Sequence, residues 1–176
     1  IDFDFFGRTP FDPLLLFRTI PYLRDGRIVQ SADSTLTALV ERGERVQVSY
    51  FATPRLGQVA PHRAAEGVSV ASLIDLAALK CVVVQSRAES KDFIDLDALI
   101  EFGVPLPMAL AAASIIQGAT FNPYVTLKAL SYFDDGDLPS LSPAVRKRLQ
   151  AAVRDVAFPL PRVEAYVQSY TEEGLS

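Results

Sequence analysis

The chain has 176 residues, 49% of them hydrophobic and 22% charged, enough apolar material for one domain or two small lobes with a real core. A net charge of −4 excludes a broad basic face for nucleic acid but leaves room for a local basic patch. The single cysteine, Cys81, excludes an internal disulfide and fits a reducing cytoplasm, and no apolar run approaches the roughly 20 residues of a membrane span.

The chain opens IDFDFF, inside a strand and without an initiating Met, so further sequence is expected upstream. Side chains alternate along a strand, which puts Asp2 and Asp4 on one face and Ile1, Phe3 and Phe5 on the other. Two like charges a pleat apart repel, and aspartate is depleted in strands. A cation would relieve the conflict, and Mg²⁺ suits two carboxylates while keeping positions for water and substrate phosphates. The plain alternative is a solvated strand face near a frayed end. TPFDPLLLFRTIPYL follows as a helix, with Thr9 or Asp12 as its cap and proline in its first turn.

RIVQSA, STLTALVE and ERVQVSYFA alternate or are β-branched and read as strands, with DGR and RGER as hairpin turns. GVSVA reads as a short strand, and Ser72 with Asp75 gives a capping-box pattern. Helices are expected near 72–88, 90–102, 105–117, 122–133, 142–156 and 160–173, with FDDGDLPSLSP (133–143) as a mobile linker. A twisted sheet with one early helix, followed by a helical lobe, is an α+β order. The boundary falls as a sheet lobe at 1–71 and a helical lobe at 72–176, or the two form one compact domain.

Lys80 interrupts SLIDLAALKCVVVQ, a stretch apolar on nearly every side. A buried ammonium needs a partner, so Lys80 either snorkels to solvent or meets a carboxylate or phosphate. Lys80, Val84, Arg87 and Lys91 follow 4-3-4 spacing, but a break near Glu89–Ser90 moves Lys91 onto the next helix. In SKDFIDLDALIEFG, a helical wheel sets Asp92 inside the apolar arc of Phe93, Leu96, Leu99 and Ile100. Asp95 lies at the edge of that arc and Asp97 points more outward. An acid so placed needs a cation, for which Lys80 or Arg87 would serve, as an ion pair joining two helices or as part of a site. Alternatively Asp92 is a first-turn acid favoured by the helix dipole, with Ser90 as cap.

The remaining candidates are weaker. His62, the sole histidine, reads as a surface residue, and no His/Cys cluster suits zinc. RKR at 146–148 reads as a solvated helix face. NPYVTLKALSYF offers Asn122 as cap and Tyr124, Lys128 and Tyr132 at 4-4 spacing, a packed helix or a base-stacking, phosphate-facing strip.

Taken together and in order, IDFDFFGRTPFDP, SLIDLAALKCVVVQSRAESKDFIDLDALI and NPYVTLKALSYFDD resemble the AbiEii-type nucleotidyltransferase toxin family of the polymerase-β-like superfamily, over roughly 1–135. The resemblance implies a nucleotidyltransferase-like α+β fold and NMP transfer from an NTP, with Mg²⁺ as cofactor. It implies an RNA acceptor such as a tRNA end, or a protein acceptor, and a cognate antitoxin partner. Asp2 and Asp4 match the family's metal-binding D-x-D pair, Lys80 its helical lysine, and Lys91, Asp92 and Asp95 its K-D-x-x-D motif. On that reading Asp2, Asp4, Lys80 and Asp92 carry catalysis. Lys80, Arg87 and Lys91 meet the nucleotide, and Asp95 supports the helix pair. Three departures accompany it. Val83 stands where a small residue is usual, Ser49 where a third carboxylate is expected, and the superfamily's Gly-Ser pair would lie upstream of Ile1. They leave a second reading open, a degenerate member of the fold that acts by binding a partner.

Overall fold

A computed structural model describes residues 1–54 and 56–166. The architecture is α+β, and the chain falls into two units, Ile1–Leu56 and Gly57–Ser176.

The first unit contains strands β1 (Asp2–Gly7), β2 (Arg27–Ala32), β3 (Thr35–Glu41) and β4 (Arg45–Ala52) in the order β1-β4-β3-β2. β1 runs parallel to β4, while β2, β3 and β4 are antiparallel to their neighbours. Alternation along the strands gathers Leu36, Ala38 and Val40 of β3 with Val46 and Val48 of β4 on one face. Helix α1 (Pro13–Thr19) supplies Leu16 and Phe17 to this core, and the short 3-10 turn Pro21–Leu23 adds the fully buried Leu23. Of the two expected caps for α1, Asp12 is the one used. Its carboxylate accepts from the N–H groups of Leu14 (2.8 Å) and Leu15 (3.0 Å).

The expected hairpins need one correction. RGER does join β3 to β4, with Gly43 at φ +81°, but DGR joins the 3-10 turn to β2. Asp33 and Ser34 connect β2 to β3, with Ser34 at φ +54°. A serine tolerated in the left-handed region lacks the glycine signal that identifies such turns.

In the second unit, β5 (Arg63–Ala65) and β6 (Val68–Val70) form an exposed hairpin. Only its second strand is evident in the residues. Five helices follow: α2 (Leu73–Val83), α3 (Ser90–Glu101), α4 (Leu106–Gln117), α5 (Pro123–Ala129) and α6 (Pro143–Arg154). The capping box forms as expected, with Asp75 N–H donating to Ser72 Oγ at 3.1 Å. The small residues Ala109, Ala112 and Ala113 of α4 are buried, as are Ala77, Ala78 and Cys81 of α2, so the two backbones pack closely. Thr126 Oγ1 of α5 donates to the Cys81 carbonyl (2.8 Å) and accepts from Gln85 Nε2 (2.8 Å), tying α5 to the end of α2.

The expected linker at 133–143 is instead anchored. Phe133, Leu138 and Leu141 are buried, and a 3-10 turn covers Leu138–Ser140. Its polar composition masked three apolar anchors spaced through it. RKR is a solvated face only in part, since Lys147 and Arg148 are exposed but both of its arginines are bonded. Arg146 donates to the carbonyls of Leu141 and Leu138 and lies over the Phe133 ring, and Arg148 pairs with Asp97. Asp97, expected to point outward, is therefore buried, because α6 supplies its cation. A helix at 160–173 is absent over 160–166, and 167–173 lies outside the described residues. No single helix among the described residues is long and apolar enough to cross a membrane.

Candidate functional site: a carboxylate–cation cluster

The last turn of α2 and the first turn of α3 each contribute one unusual residue. Lys80 ends α2, Asp92 begins α3, and the connection between them carries Arg87. Lys91 belongs to α3, since α2 stops at Val83 and the continuous stripe of cations does not form.

Asp92 has no exposed side-chain surface. Lys80 Nζ donates to its Oδ1 at 2.9 Å, and Arg87 adds Nε to Oδ2 at 2.7 Å and Nη2 to Oδ1 at 3.1 Å. The guanidinium thus grips both carboxylate oxygens, the fork geometry that makes such pairs strong. Lys80 also donates to Asp95 Oδ2 at 2.5 Å, one helical turn along α3. The expectation that Lys80 or Arg87 would neutralise Asp92 is met by both together. Lys80 retains 25% side-chain exposure, whereas Asp95 is half exposed. The amine therefore sits at the lip of a buried pair.

Burial alone would push the Asp92 carboxyl upward, but the bonds from Arg87 and Lys80 outweigh it and hold the group below the usual carboxylate range. Burial would likewise push the Lys80 ammonium down, and the bonds to Asp95 and Asp92 raise it instead. Both members stay charged. Lys80 is a fixed cation and no proton acceptor, with two of its three donors committed among the described residues.

Lys91 lies beside this cluster, its ammonium 3.4 Å from Glu89, which also approaches Arg87 at 3.8 Å. Ser90 is not the side-chain cap of α3. Glu89 occupies the N-cap without capping, and Asp137 does that work from the anchored segment. It accepts from Ser90 N–H (2.6 Å) and Oγ (2.8 Å), and these bonds lower its pKa. Nothing in the residues around Asp137 marks this role, because its partner lies 47 positions away.

In the first unit, Asp2 and Asp4 share one face of β1 and are exposed. The parallel register places Asp2 beside Gln47 and Asp4 beside Ser49, and Thr37 of β3 continues the row. Thr37 Oγ1 donates to Ser49 Oγ at 3.4 Å. A metal ion on this face would meet the two exposed carboxylates, with the Ser49 hydroxyl buried beside them. That donor set fits Mg²⁺, which takes one or two carboxylates and leaves the rest to water and phosphate. No group of three His, Cys, Asp or Glu suited to a metal occurs among the described residues.

The sequence model of one protein family, described as "Nucleotidyl transferase AbiEii toxin, Type IV TA system", matches residues 19–169, well over half of the chain. The chain belongs to the AbiEii family. AbiEii proteins are nucleotidyl transferase toxins of type IV toxin–antitoxin systems, a description that implies a nucleotide substrate and an antitoxin partner. The AbiEii match contains Lys80, Arg87, Lys91, Asp92 and Asp95 and begins after Asp2 and Asp4. No curated protein and no solved structure matches this AbiEii chain.

Proposed function

We propose that this protein transfers a nucleoside monophosphate from an NTP to an RNA or protein acceptor, as the toxin of a toxin–antitoxin pair in the cytoplasm. The observation that carries this reading is the fully buried Asp92 clamped by Lys80 and Arg87 within the family-matched stretch. Lys80 keeps a quarter of its side chain exposed at the edge of this pair, which leaves its ammonium within reach of a ligand.

Each residue then has a distinct task. Lys80, a permanent cation with one donor uncommitted to Asp92 or Asp95, would meet a triphosphate oxygen. Arg87 and Lys91 would add positive charge around it. Asp92 acts through Lys80 as a positioning residue. Both its oxygens are occupied by cationic donors and its pKa is lowered, which favours positioning over proton abstraction from an acceptor hydroxyl. Asp95, bonded to the same ammonium, supports the helix pair. Asp2 and Asp4 would hold Mg²⁺, which supplies charge neutralisation at the phosphates when bound. The acceptor hydroxyl then displaces pyrophosphate at the α-phosphorus.

The test is incorporation of labelled NMP into RNA and protein acceptors by the full chain. Asp2→Ala and Lys80→Ala should each abolish it; unchanged incorporation in either would refute the assignment of that residue. Ser49 beside Asp4 favours one other reading, a partner-binding protein of the same fold without catalysis, since a hydroxyl is a poor metal ligand beside an anion. Mg²⁺ with NTP should raise the melting temperature of an active enzyme through linkage and leave that of a binder unmoved.

A further inference from the structure

A groove of about 290 Å³ opens in the second unit between the α2–α3 connection and α5. Its floor is apolar, formed by Val84 and Phe93, and its walls carry Arg87, Lys128, Tyr132 and Asp135. Phe93 and Val84 are buried, whereas Tyr132 keeps half of its surface exposed and Lys128 lies at the surface. The guanidinium that lines this groove is the one that grips Asp92, so the groove abuts the Lys80–Asp92 cluster.

An aromatic face, an apolar floor and two cations at the rim are the parts from which nucleotide-binding surfaces are built. The volume is at the small end for ligand sites and suits one nucleoside rather than a larger cofactor. A carboxylate among these groups disfavours a bare anion but accepts well from the exocyclic amines of adenine, cytosine and guanine. Uracil has no such amine.

We propose that this groove is a nucleotide subsite, in which Tyr132 stacks on the base, Lys128 meets its phosphate and Asp135 selects bases that carry an exocyclic amine. The subsite deepens the nucleotidyltransferase reading and rests on it only for its purpose. The nucleotide has two sources, the donor or the terminal residue of an RNA acceptor.

Equilibrium binding to the full chain decides it, with AMP, CMP, UMP, ATP and a labelled single-stranded RNA pentamer as probes. Tyr132→Ala should weaken binding on the order of tenfold. Lys128→Ala should weaken it and reduce the salt dependence by roughly one phosphate contact. Asp135→Ala should erase the preference of AMP and CMP over UMP. Both Tyr132 and Lys128 are exposed, so unchanged thermal melts should accompany these losses. An effect on mononucleotides assigns the groove to the donor, and an effect on the pentamer alone assigns it to the acceptor. Absence of binding by the wild type, or affinities unchanged in both variants, overturns the proposal. If the wild type transfers NMP while the variants bind normally, the subsite fails and the enzymatic reading survives. If binding responds as stated but no transfer occurs under any condition, the enzymatic reading fails and the subsite stands.

Discussion

Lys80 Nζ donates at 2.9 Å to Asp92, a carboxylate with no exposed surface, and so links the end of one helix to the start of the next. Removing the acid breaks a buried pair but leaves Lys80 with Asp95 and Arg87 with Glu89, so Asp92→Ala should destabilise the protein by about 3 kcal/mol, the low end for such a pair. A double-mutant cycle with Lys80→Ala, measured by urea denaturation, should show coupling of about 1–2 kcal/mol. Additive effects would mean that Arg87 alone neutralises Asp92.

The same pair sets a pH profile. The folded pKa of Asp92 lies below its unfolded value, so the unfolded chain binds the proton first. Its stabilisation is complete above the unfolded carboxylate value, about 3.9, and is lost as pH falls through the lower folded value. Lys80 has a raised folded pKa, so its contribution is complete below about 10.4 and is lost as pH rises through the folded value. Stability from this cluster should be flat through neutrality and decline at both ends. Asp92→Asn should flatten the acid limb; an unchanged limb in urea titrations would place the protonation elsewhere.

Much of this cluster could be read in the residues, because a lysine in an apolar helix and an acid inside an apolar arc each break a periodic pattern. Such breaks are local and visible. The family itself was legible in the same way, from short stretches in order, of which the second and third lie within the matched residues. What escaped depended on partners far along the chain. Asp97 and Arg148 lie on separate helices, each ordinary on its own wheel, and only the packing of α6 against α3 makes one acid buried and one arginine its partner. Asp137 looked like linker because Asp, Gly, Ser and Pro describe both mobile segments and tightly hydrogen-bonded turns.

That anchored segment makes its own prediction. Gly136 has φ +54°, and a Cβ there would lie 2.1 Å from the Ala88 carbonyl oxygen, in the connection leading to α3. Gly136→Ala should therefore cost about 1–3 kcal/mol from combined strain and overlap, read as a fall in melting temperature. Asp137→Ala should also lower it by freeing the Ser90 N–H. If Gly136→Ala melted like the wild type, the close approach to Ala88 would be wrong.

Ser49 offers the sharpest test of the metal reading in the first unit. It is 2% exposed and stands in parallel register with Asp4. Ser49→Asp would bury a carboxylate beside the existing pair, so without metal the variant should melt below the wild type through repulsion and desolvation. Adding Mg²⁺ reverses the sign of the effect if this face binds the ion, because a third carboxylate raises affinity at a divalent site. At 100 times the dissociation constant, linkage contributes about 2.7 kcal/mol, several degrees of melting temperature. The expected result is a larger Mg²⁺-dependent rise in Ser49→Asp than in the wild type, lost again in Asp2→Ala/Ser49→Asp. Equal responses to Mg²⁺ and to a monovalent salt of matched ionic strength would show general screening of the three acids, and the row of Asp2, Asp4 and Ser49 would not be a metal site.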